Sequence, residues 1–253
     1  MRIGSSIPPA MVLIALGVAT ATVAPAAKAQ TGGDGFAFRA PKVAITLYGG
    51  FAAPSASSDL FTFSMRELTL GKSDFASGQI GGDVAVSVGD RLDLVVGASS
   101  NSSSTRSEFR DWVDNNNLPI EQTTYFRTVP LTASLRYYLT PRGQRVGSIA
   151  WIPRRFVPFA SLGAGVVRYR FNQVGDFIDY QTLDVFADRY ESSGTAGLLQ
   201  GSVGAGWAIS PHLQLTGEVR YLRARGELSS DFQGFKPLDL SGASSSVGIT
   251  LRF

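Results

Sequence analysis

The chain has 253 residues, a formal charge of +3, no cysteine and one histidine. The length is within reach of a single all-β domain, and the missing cysteine excludes disulfides and thiolate chemistry. The near-neutral charge, carried by scattered arginines, lacks the basic field that nucleic-acid binding requires, so we expect no nucleic-acid partner.

The first segment, residues 1–29, has the features of a secretory signal peptide. Arg2 gives the positive start, a short apolar core follows, and Ala27 and Ala29 supply the small residues that a signal peptidase reads. The core is rich in Ala and Thr, which favours a cleaved signal over an anchor helix. Export is therefore predicted, with residues 30–42 as a Gly-rich N-terminal lead.

Eight segments of the remaining chain alternate between apolar and polar residues with a period of two, the pattern of strands with one apolar face. The predicted strands are residues 43–51, 75–88, 91–100, 123–139, 156–171, 195–209, 212–225 and 241–253. The register of the fifth strand stays open, because Gly163 and Gly165 carry no information about faces. No run beyond the N-terminus reaches the ~20 apolar residues of a membrane helix.

Long polar connections follow all four odd-numbered strands, and shorter ones follow the even-numbered strands. The long connections are residues 52–74, 101–122, 172–193 and 226–240, the first of which we expect to be a loop with a small hairpin. Antiparallel pairing of successive strands places all four at one end. The asymmetry and the even strand number predict an all-β fold, an eight-stranded antiparallel up-and-down transmembrane β-barrel over residues 43–253.

The composition of the two faces separates a membrane barrel from a soluble one. A soluble lipocalin-like barrel also has eight up-and-down strands, but it shows a charged face to water. Here the polar face carries small uncharged residues such as Ser134, Ser202 and Thr216, which suit a narrow interior. Tyr137 and Trp207 lie near strand ends on the apolar face, as aromatic girdles do. We therefore expect the apolar face to meet lipid.

The stretches that carry a family resemblance are residues 129–138 (VPLTASLRYY), 156–165 (FVPFASLGAG) and 247–253 (VGITLRF). The mature chain resembles the small eight-stranded outer-membrane barrels of the OmpA/OmpX/OmpW-like group. That group includes passive anchors, adhesion and resistance proteins, and narrow conduits for apolar molecules, so the resemblance implies a location in the cell outer membrane and not a substrate.

The resemblance also implies partners. Outer-membrane lipid and lipopolysaccharide would surround the barrel, and the barrel assembly machinery would read the amphipathic final strand. The apolar residues of that strand, which we expect to carry the assembly signal, are Val247, Ile249, Leu251 and Phe253.

Charged residues on the inward face form the sharpest candidate site. The predicted register turns these residues toward the lumen: Asp83, Arg91, Asp93, Arg136, Glu218, Arg220 and Arg252. An ion in a narrow interior must be paired or hydrated. We expect Glu218 and Asp83 to pair with Arg136, Arg220 or Arg252 and to plug the barrel. The alternative places several of these ions, Arg91 and Arg252 first, at the rims in water.

Catalytic and metal sites are not expected. The single histidine, His212, follows a short turn at the predicted periplasmic end, away from the long loops where lipid-modifying barrels keep theirs. One histidine and no cysteine leave too few ligands for a zinc site, and no acidic cluster has the spacing of a calcium loop. We therefore predict no enzyme and no cofactor, and assign Arg142, Arg145, Arg154 and Arg155 to anionic headgroups on the periplasmic side.

The outer loops are the predicted place of action. Residues 109–114, 118–120 and 176–186 mix aromatic with acidic side chains. They would either bind a partner or an apolar ligand, or pack on one another above the membrane. The sequence favours a structural or interaction role through these loops. A narrow channel or lateral conduit for small hydrophobic molecules is the first alternative, and a lipid-modifying enzyme is the second.

Overall fold

Alternation of apolar and polar residues produces strands through most of the chain. The computed structural model describes residues 35–114, 116–147 and 150–253, so the predicted signal peptide, with Ala27 and Ala29, lies outside the described residues. In chain order the elements are β1 (Val43–Pro54), α1 (Asp59–Glu67), β2 (Ser77–Ser87), β3 (Leu92–Val113), β4 (Pro119–Tyr138), β5 (Gly143–Val146), β6 (Ala150–Pro153), β7 (Phe156–Ile178), β8 (Val185–Ala208), β9 (Leu213–Gly226), β10 (Leu238–Asp239) and β11 (Gly242–Arg252). The helices of the described residues are too short or too polar to traverse a lipid bilayer.

The eight long strands form a closed antiparallel ring. The order around the ring is β1, β2, β3, β4, β7, β8, β9 and β11, and β11 pairs again with β1. Within the ring, closure gives the backbone groups of each strand a partner on both sides, which is what lipid demands of a spanning sheet. The predicted eight-stranded fold is confirmed.

The apolar face of the strands points outward. Leu131, Val219 and Ile249 are 52 %, 55 % and 57 % exposed, although they are large aliphatic residues. On β8, apolar residues stay exposed from Leu199 to Ile209, a length of ~33 Å along the strand that a tilt of ~40° reduces to ~25 Å of height. This is the height of the hydrocarbon band around a transmembrane barrel.

The strand whose register the sequence left open, β7, follows the same rule. Val157, Phe159 and Ser161 are buried inside the barrel, whereas Leu162 and Val166 are exposed on the outside. The glycines between them are required by close packing, because a Cβ at Gly165 would lie 2.0 Å from the carbonyl oxygen of residue 131.

Two of the four predicted long loops are strands, and those predictions are wrong. β3 and β4 remain paired beyond the membrane to Val113 and Pro119, and β7 and β8 remain paired to Ile178 and Val185. Above the membrane these segments are rich in Ser, Thr and charged residues, and their few buried apolar residues, such as Ile120 and Ile178, are too widely spaced to mark a strand. Cross-strand hydrogen bonds hold them extended instead.

The first connection is also different from the prediction, because residues 59–67 form the helix α1 rather than a hairpin. Leu60 and Phe61 are buried beneath it in the mouth of the barrel, and Leu68 forms a bridge to Phe109 of β3. The helix therefore lies across the outer opening. At the opposite end, β5 and β6 form a separate hairpin inside the predicted connector, and Trp151 pairs with Ala37 of the N-terminal lead.

Candidate functional site

Four charged side chains from three strands meet in the middle of the barrel. An Nη atom of Arg136 lies 3.1 Å from a carboxylate oxygen of Glu218 and 3.8 Å from one of Asp83. The guanidinium of Arg220 lies 3.0 Å from Glu218 and 3.7 Å from Asp83. Two positive and two negative groups are buried together, so the cluster, which we call the central charge cluster, is electrically balanced.

Aromatic rings and small residues shape this cluster. The guanidinium of Arg136 lies 4.3 Å from the ring centroid of Phe159, and that of Arg220 lies 5.7 Å from the ring of Tyr48. Both distances suit cation–π attraction. Asp83 has room only because residue 97 is glycine, since a Cβ there would lie 1.9 Å from its carboxylate oxygen.

Hydroxyl groups occupy the adjoining part of the polar interior. Thr250 shares hydrogen bonds of 2.9 Å and 2.8 Å with the hydroxyls of Thr46 and Thr216. These three side chains are buried on adjacent strands of the ring. The three hydroxyls are thereby paired with one another, as buried polar groups generally are.

Two residues of the predicted charge network lie outside the central charge cluster. Asp93 forms an ion pair with Arg142 at 2.9 Å and accepts a hydrogen bond of 2.7 Å from Tyr138. Arg252 donates to the side chain of Gln214 and to a backbone carbonyl at the β8–β9 turn. Of the seven residues predicted to face the lumen, the structure therefore brings together four and places Asp93 and Arg252 nearer the periplasmic end.

Two further charged residues lie near the periplasmic end. Arg91 is exposed just before β3, at the rim where the alternative reading of the sequence placed it. Arg142, assigned from sequence to lipid headgroups, instead reaches back to Asp93 and to the hydroxyl of Ser87. No pattern marked Arg142 as an interior residue, because it lies in a connector without alternation.

An aromatic cluster that sequence reasoning missed fills the outer half of the barrel. Phe61 of α1 stands edge-on to Phe75 at 4.7 Å, to Phe126 at 5.4 Å and to Phe171 at 5.7 Å between ring centroids. Phe232 extends the cluster at 5.6 Å from Phe171. We call these five rings the outer aromatic cluster. Between it and the central charge cluster lies a cavity of about 50 Å³, space for a few water molecules.

A four-stranded sheet projects beyond the barrel on the side of the long connections. Pairing with β2 ends at Asn101 of β3, and pairing with β9 ends at Leu198 of β8, yet β3, β4, β7 and β8 continue together. From Asn101 to Val113 the projection measures ~40 Å along the strand. We call it the extracellular sheet.

The tips of the extracellular sheet combine ordered turns with exposed apolar side chains. A hydrogen bond from the backbone N–H of Leu118 holds the pKa of Asp114 below its usual value. The N–H of Gln181 does the same for the pKa of Asp179 in the other hairpin. Trp112 and Tyr180 touch edge-on across the tips at 6.4 Å. The exposed apolar tip residues are Val113, Leu118, Tyr180 and Leu183.

The final strand presents its apolar residues to lipid. Val247, Ile249, Leu251 and Phe253 are all exposed on the outer face. The backbone of Phe253 exchanges hydrogen bonds with Val43 and completes the ring. Whether the assembly machinery reads this strand stays a prediction.

The single histidine is exposed at the β8–β9 turn, where Nδ1 of His212 lies 3.0 Å from the carbonyl oxygen of Arg252. No nucleophile is hydrogen-bonded to this ring among the described residues. In the same described ranges, no group of three or more His, Cys, Asp or Glu side chains is arranged to hold a metal ion.

The closed ring, the lipid-facing exterior and the polar interior define the chain as an eight-stranded transmembrane β-barrel of the bacterial outer membrane. Comparison with protein-family models and with curated proteins gave no match.

Solved structures to which the chain is similar are themselves outer-membrane proteins. Neisserial surface protein A has 15 % identity and a TM-score of 0.46, with 83 % of this chain and 96 % of that chain covered. OprG from Pseudomonas aeruginosa has 13 % identity and a TM-score of 0.47, covering 86 % and 98 %. A major outer membrane protein from Thermus thermophilus has 13 % identity and a TM-score of 0.46, covering 85 % and 100 %. The class stated above rests on the strand ring and its exterior.

Proposed function

We propose that the protein is a non-enzymatic, non-conducting barrel that acts through its extracellular sheet. The observation that carries the proposal is that protein side chains occupy the interior at two levels. The central charge cluster fills the middle, and the outer aromatic cluster under α1 fills the outer half. An ion crossing the barrel would have to displace both.

Conductance of the reconstituted protein tests the closed interior. Folded protein in planar bilayers should show no steady unitary current, while a general porin reconstituted in the same lipid does. A second sample in which a Gly/Ser linker replaces residues 56–75 removes α1 and Phe61. It should also stay closed, because the central charge cluster remains. A stable single-channel current from the unaltered protein would contradict the proposal.

The extracellular sheet is the proposed interaction surface. Its exposed apolar residues, two at the tip of each hairpin, are the candidate contact site. Protein in nanodiscs should bind at least one component of an array of matrix proteins and glycans. Changing Val113, Leu118, Tyr180 and Leu183 to serine should abolish that binding. Serine at Val146 and Ile152, exposed on the periplasmic hairpin, is the matched control. Absence of binding above empty nanodiscs would oppose this role.

Arginines just above the apolar band support lipopolysaccharide as a neighbour. Arg127 of β4 and Arg170 of β7 are directly paired in register on the outer face, and Arg168 lies two residues away. Like charges directly opposite each other destabilise a sheet, and among the described residues Arg170 pairs with a single acidic side chain, Glu191 at 3.0 Å. A phosphate bridging the paired guanidinium groups would remove the repulsion.

A comparison of lipids tests this contact. Lipopolysaccharide added to phosphatidylcholine vesicles should raise the resistance of the barrel to urea, and Arg127→Gln with Arg170→Gln should remove most of the gain. Arg155→Gln, at the periplasmic end, should leave it unchanged. Equal gains in all three proteins would refute a specific contact.

A conduit for small apolar molecules is the second candidate, and one feature favours it. The bridges between β3 and β4 are interrupted between Ala98–Leu131 and Asn101–Thr128, where Pro130 has no N–H to donate, and again near the tip between Glu108–Glu121 and Val113–Pro119. Asn101, Thr128 and Pro130 also line the 50 Å³ cavity. Because the chain has no cysteine, Ser100→Cys with Val129→Cys allows the gap to be closed by oxidation. Uptake of an apolar dye into vesicles that stops on oxidation would favour the conduit.

A further inference from the structure

A second cavity, distinct from the interior clusters, opens at the periplasmic end of the barrel. Its volume is about 430 Å³. The N-terminal lead forms one wall through Ala40 and Pro41, and the β5–β6 hairpin forms another. The charged residues that line it are Asp90, Arg91, Arg142, Arg145 and Arg252. Four guanidinium groups therefore face one carboxylate.

The cavity is assembled from segments far apart in the chain. Trp151 of β6 is buried and exchanges two backbone hydrogen bonds, of 2.8 Å and 2.7 Å, with Ala37 of the lead. Its indole ring lies 5.8 Å from the guanidinium of Arg252 at the end of β11. Hairpin, lead and barrel are thereby held together around the opening.

Arg252 is the charged group in this cavity that most clearly lacks a counter-charge. It is 7 % exposed, and it donates to Gln214 Oε1 at 3.0 Å and to the carbonyl oxygen of Ser210 at 2.7 Å. Its Nε has no hydrogen-bond partner, and no carboxylate lies within ion-pair distance among the described residues. By contrast, Arg142 is neutralised by Asp93. A buried cation without a counter-charge favours binding of an anion.

We propose that this cavity binds a phosphate-type oxyanion, with Arg252 as its innermost contact. Guanidinium groups match phosphate oxygens in pairs and in plane. Arg91 and Arg145 are exposed at the rim, where they attract the anion and leave it a path from the periplasm. The volume accommodates orthophosphate or pyrophosphate, either as a free ion or as the phosphate of a lipid headgroup.

Trp151 provides a direct readout. Trp112→Phe and Trp207→Phe leave it as the only tryptophan of the sequence, and its ring lies 5.8 Å from the guanidinium that the anion would engage. Inorganic pyrophosphate, titrated into this protein in phosphatidylcholine nanodiscs, should change the Trp151 fluorescence with a saturable curve. A saturable change there assigns a soluble source. Phosphatidylcholine already carries a headgroup phosphate, so a change seen only on moving to phosphatidylglycerol nanodiscs assigns the phosphate of a lipid with net negative charge. No change in either membrane overturns the proposal.

Two single variants distinguish a specific anion site from a general attraction between the anion and the positive surface. Arg252→Gln should weaken pyrophosphate binding by about tenfold or more, the loss expected for one charged hydrogen-bonding partner. Arg154→Gln removes the same charge from an exposed position outside this cavity and should leave binding unchanged. Equal weakening by both variants overturns the proposal.

A second pair of changes covers the case in which Arg252→Gln does not fold, as judged by the mobility of unheated protein on a gel. Arg91→Gln with Arg145→Gln alters only the exposed rim and should weaken binding several-fold. Unchanged binding in this folded protein overturns the role of the rim and with it the proposed site. The conductance experiment is independent of either result.

Discussion

Removing Arg136 isolates the energetic contribution of the central charge cluster. Arg136→Met keeps much of the side-chain volume but leaves Asp83 and Glu218 with only Arg220. At 3.1 Å and 3.8 Å, the two lost attractions are about 5 and 4 kcal/mol at an effective dielectric constant of ~20. Part of this is offset because the cation no longer has to be desolvated. The expected net loss is about 3–5 kcal/mol, as for other buried pairs that lose one partner.

Charge balance provides the internal control. Adding Glu218→Gln to Arg136→Met leaves one cation and one anion, Arg220 and Asp83, 3.7 Å apart. The double variant should therefore be more stable than the single one by at least ~1 kcal/mol, although it lacks two charged groups.

Urea unfolding of the barrel in phosphatidylcholine vesicles, followed by tryptophan fluorescence, measures both differences. Gel mobility without heating confirms that each variant reaches the folded state. Arg106→Met, which removes an exposed ion pair with Glu121 outside the membrane, serves as the reference and should change stability little. If Arg136→Met costs no more than Arg106→Met, the four charges are not coupled as described.

Three further predictions concern other levels of the barrel. Phe61→Ala should lower the free energy of unfolding by about 3–5 kcal/mol and expose α1 to protease, measured by urea titration and limited proteolysis. Gly97→Ala should cost about 1–3 kcal/mol because its Cβ meets Asp83, whereas Gly78→Ala, with no atom within 4 Å of its Cβ, should cost far less. Phe253→Ala should reduce the amount of barrel assembled in cells more than it reduces the urea midpoint of purified protein, and equal effects would count against an assembly signal.

The membrane-spanning part of the fold follows directly from the sequence. Lipid on one side and a narrow polar interior on the other impose a strict period of two, and residues such as Leu131 and Val219 lie on the face that this period predicts. Beyond Asn101 both faces of β3 carry mostly polar residues, although the first connection covers the inner one and Ser107 is buried. The apolar contrast is therefore missing from the sequence, and the segment was predicted as a loop. The helix α1 was missed because its nine residues are too few for a clear helical period.

Alternation also limits what can be predicted of the interior. It assigns Asp83, Arg136, Glu218 and Arg220 to the inward face. Their positions along the barrel axis depend on the stagger between neighbouring strands, and the residue pattern of a single strand does not determine that stagger. Alternation places Arg252 on the same face as these four, and the sequence set it apart only as a candidate for the rim in water, whereas it is buried in the structure. The outer aromatic cluster was missed for a related reason, since its rings come from a helix, two turns and two strands.

The extracellular sheet makes the barrel asymmetric about its own axis. Four neighbouring strands rise far above the bilayer, while β1, β2, β9 and β11 stop near its surface. Seen from outside the cell, the extracellular sheet rises along one side of the barrel mouth, and the opposite side of the mouth is open. A large molecule that approaches along the membrane meets either the extracellular sheet or the open side of the barrel mouth, depending on its direction. Rotation of the barrel in the bilayer therefore governs how often the open side faces that molecule.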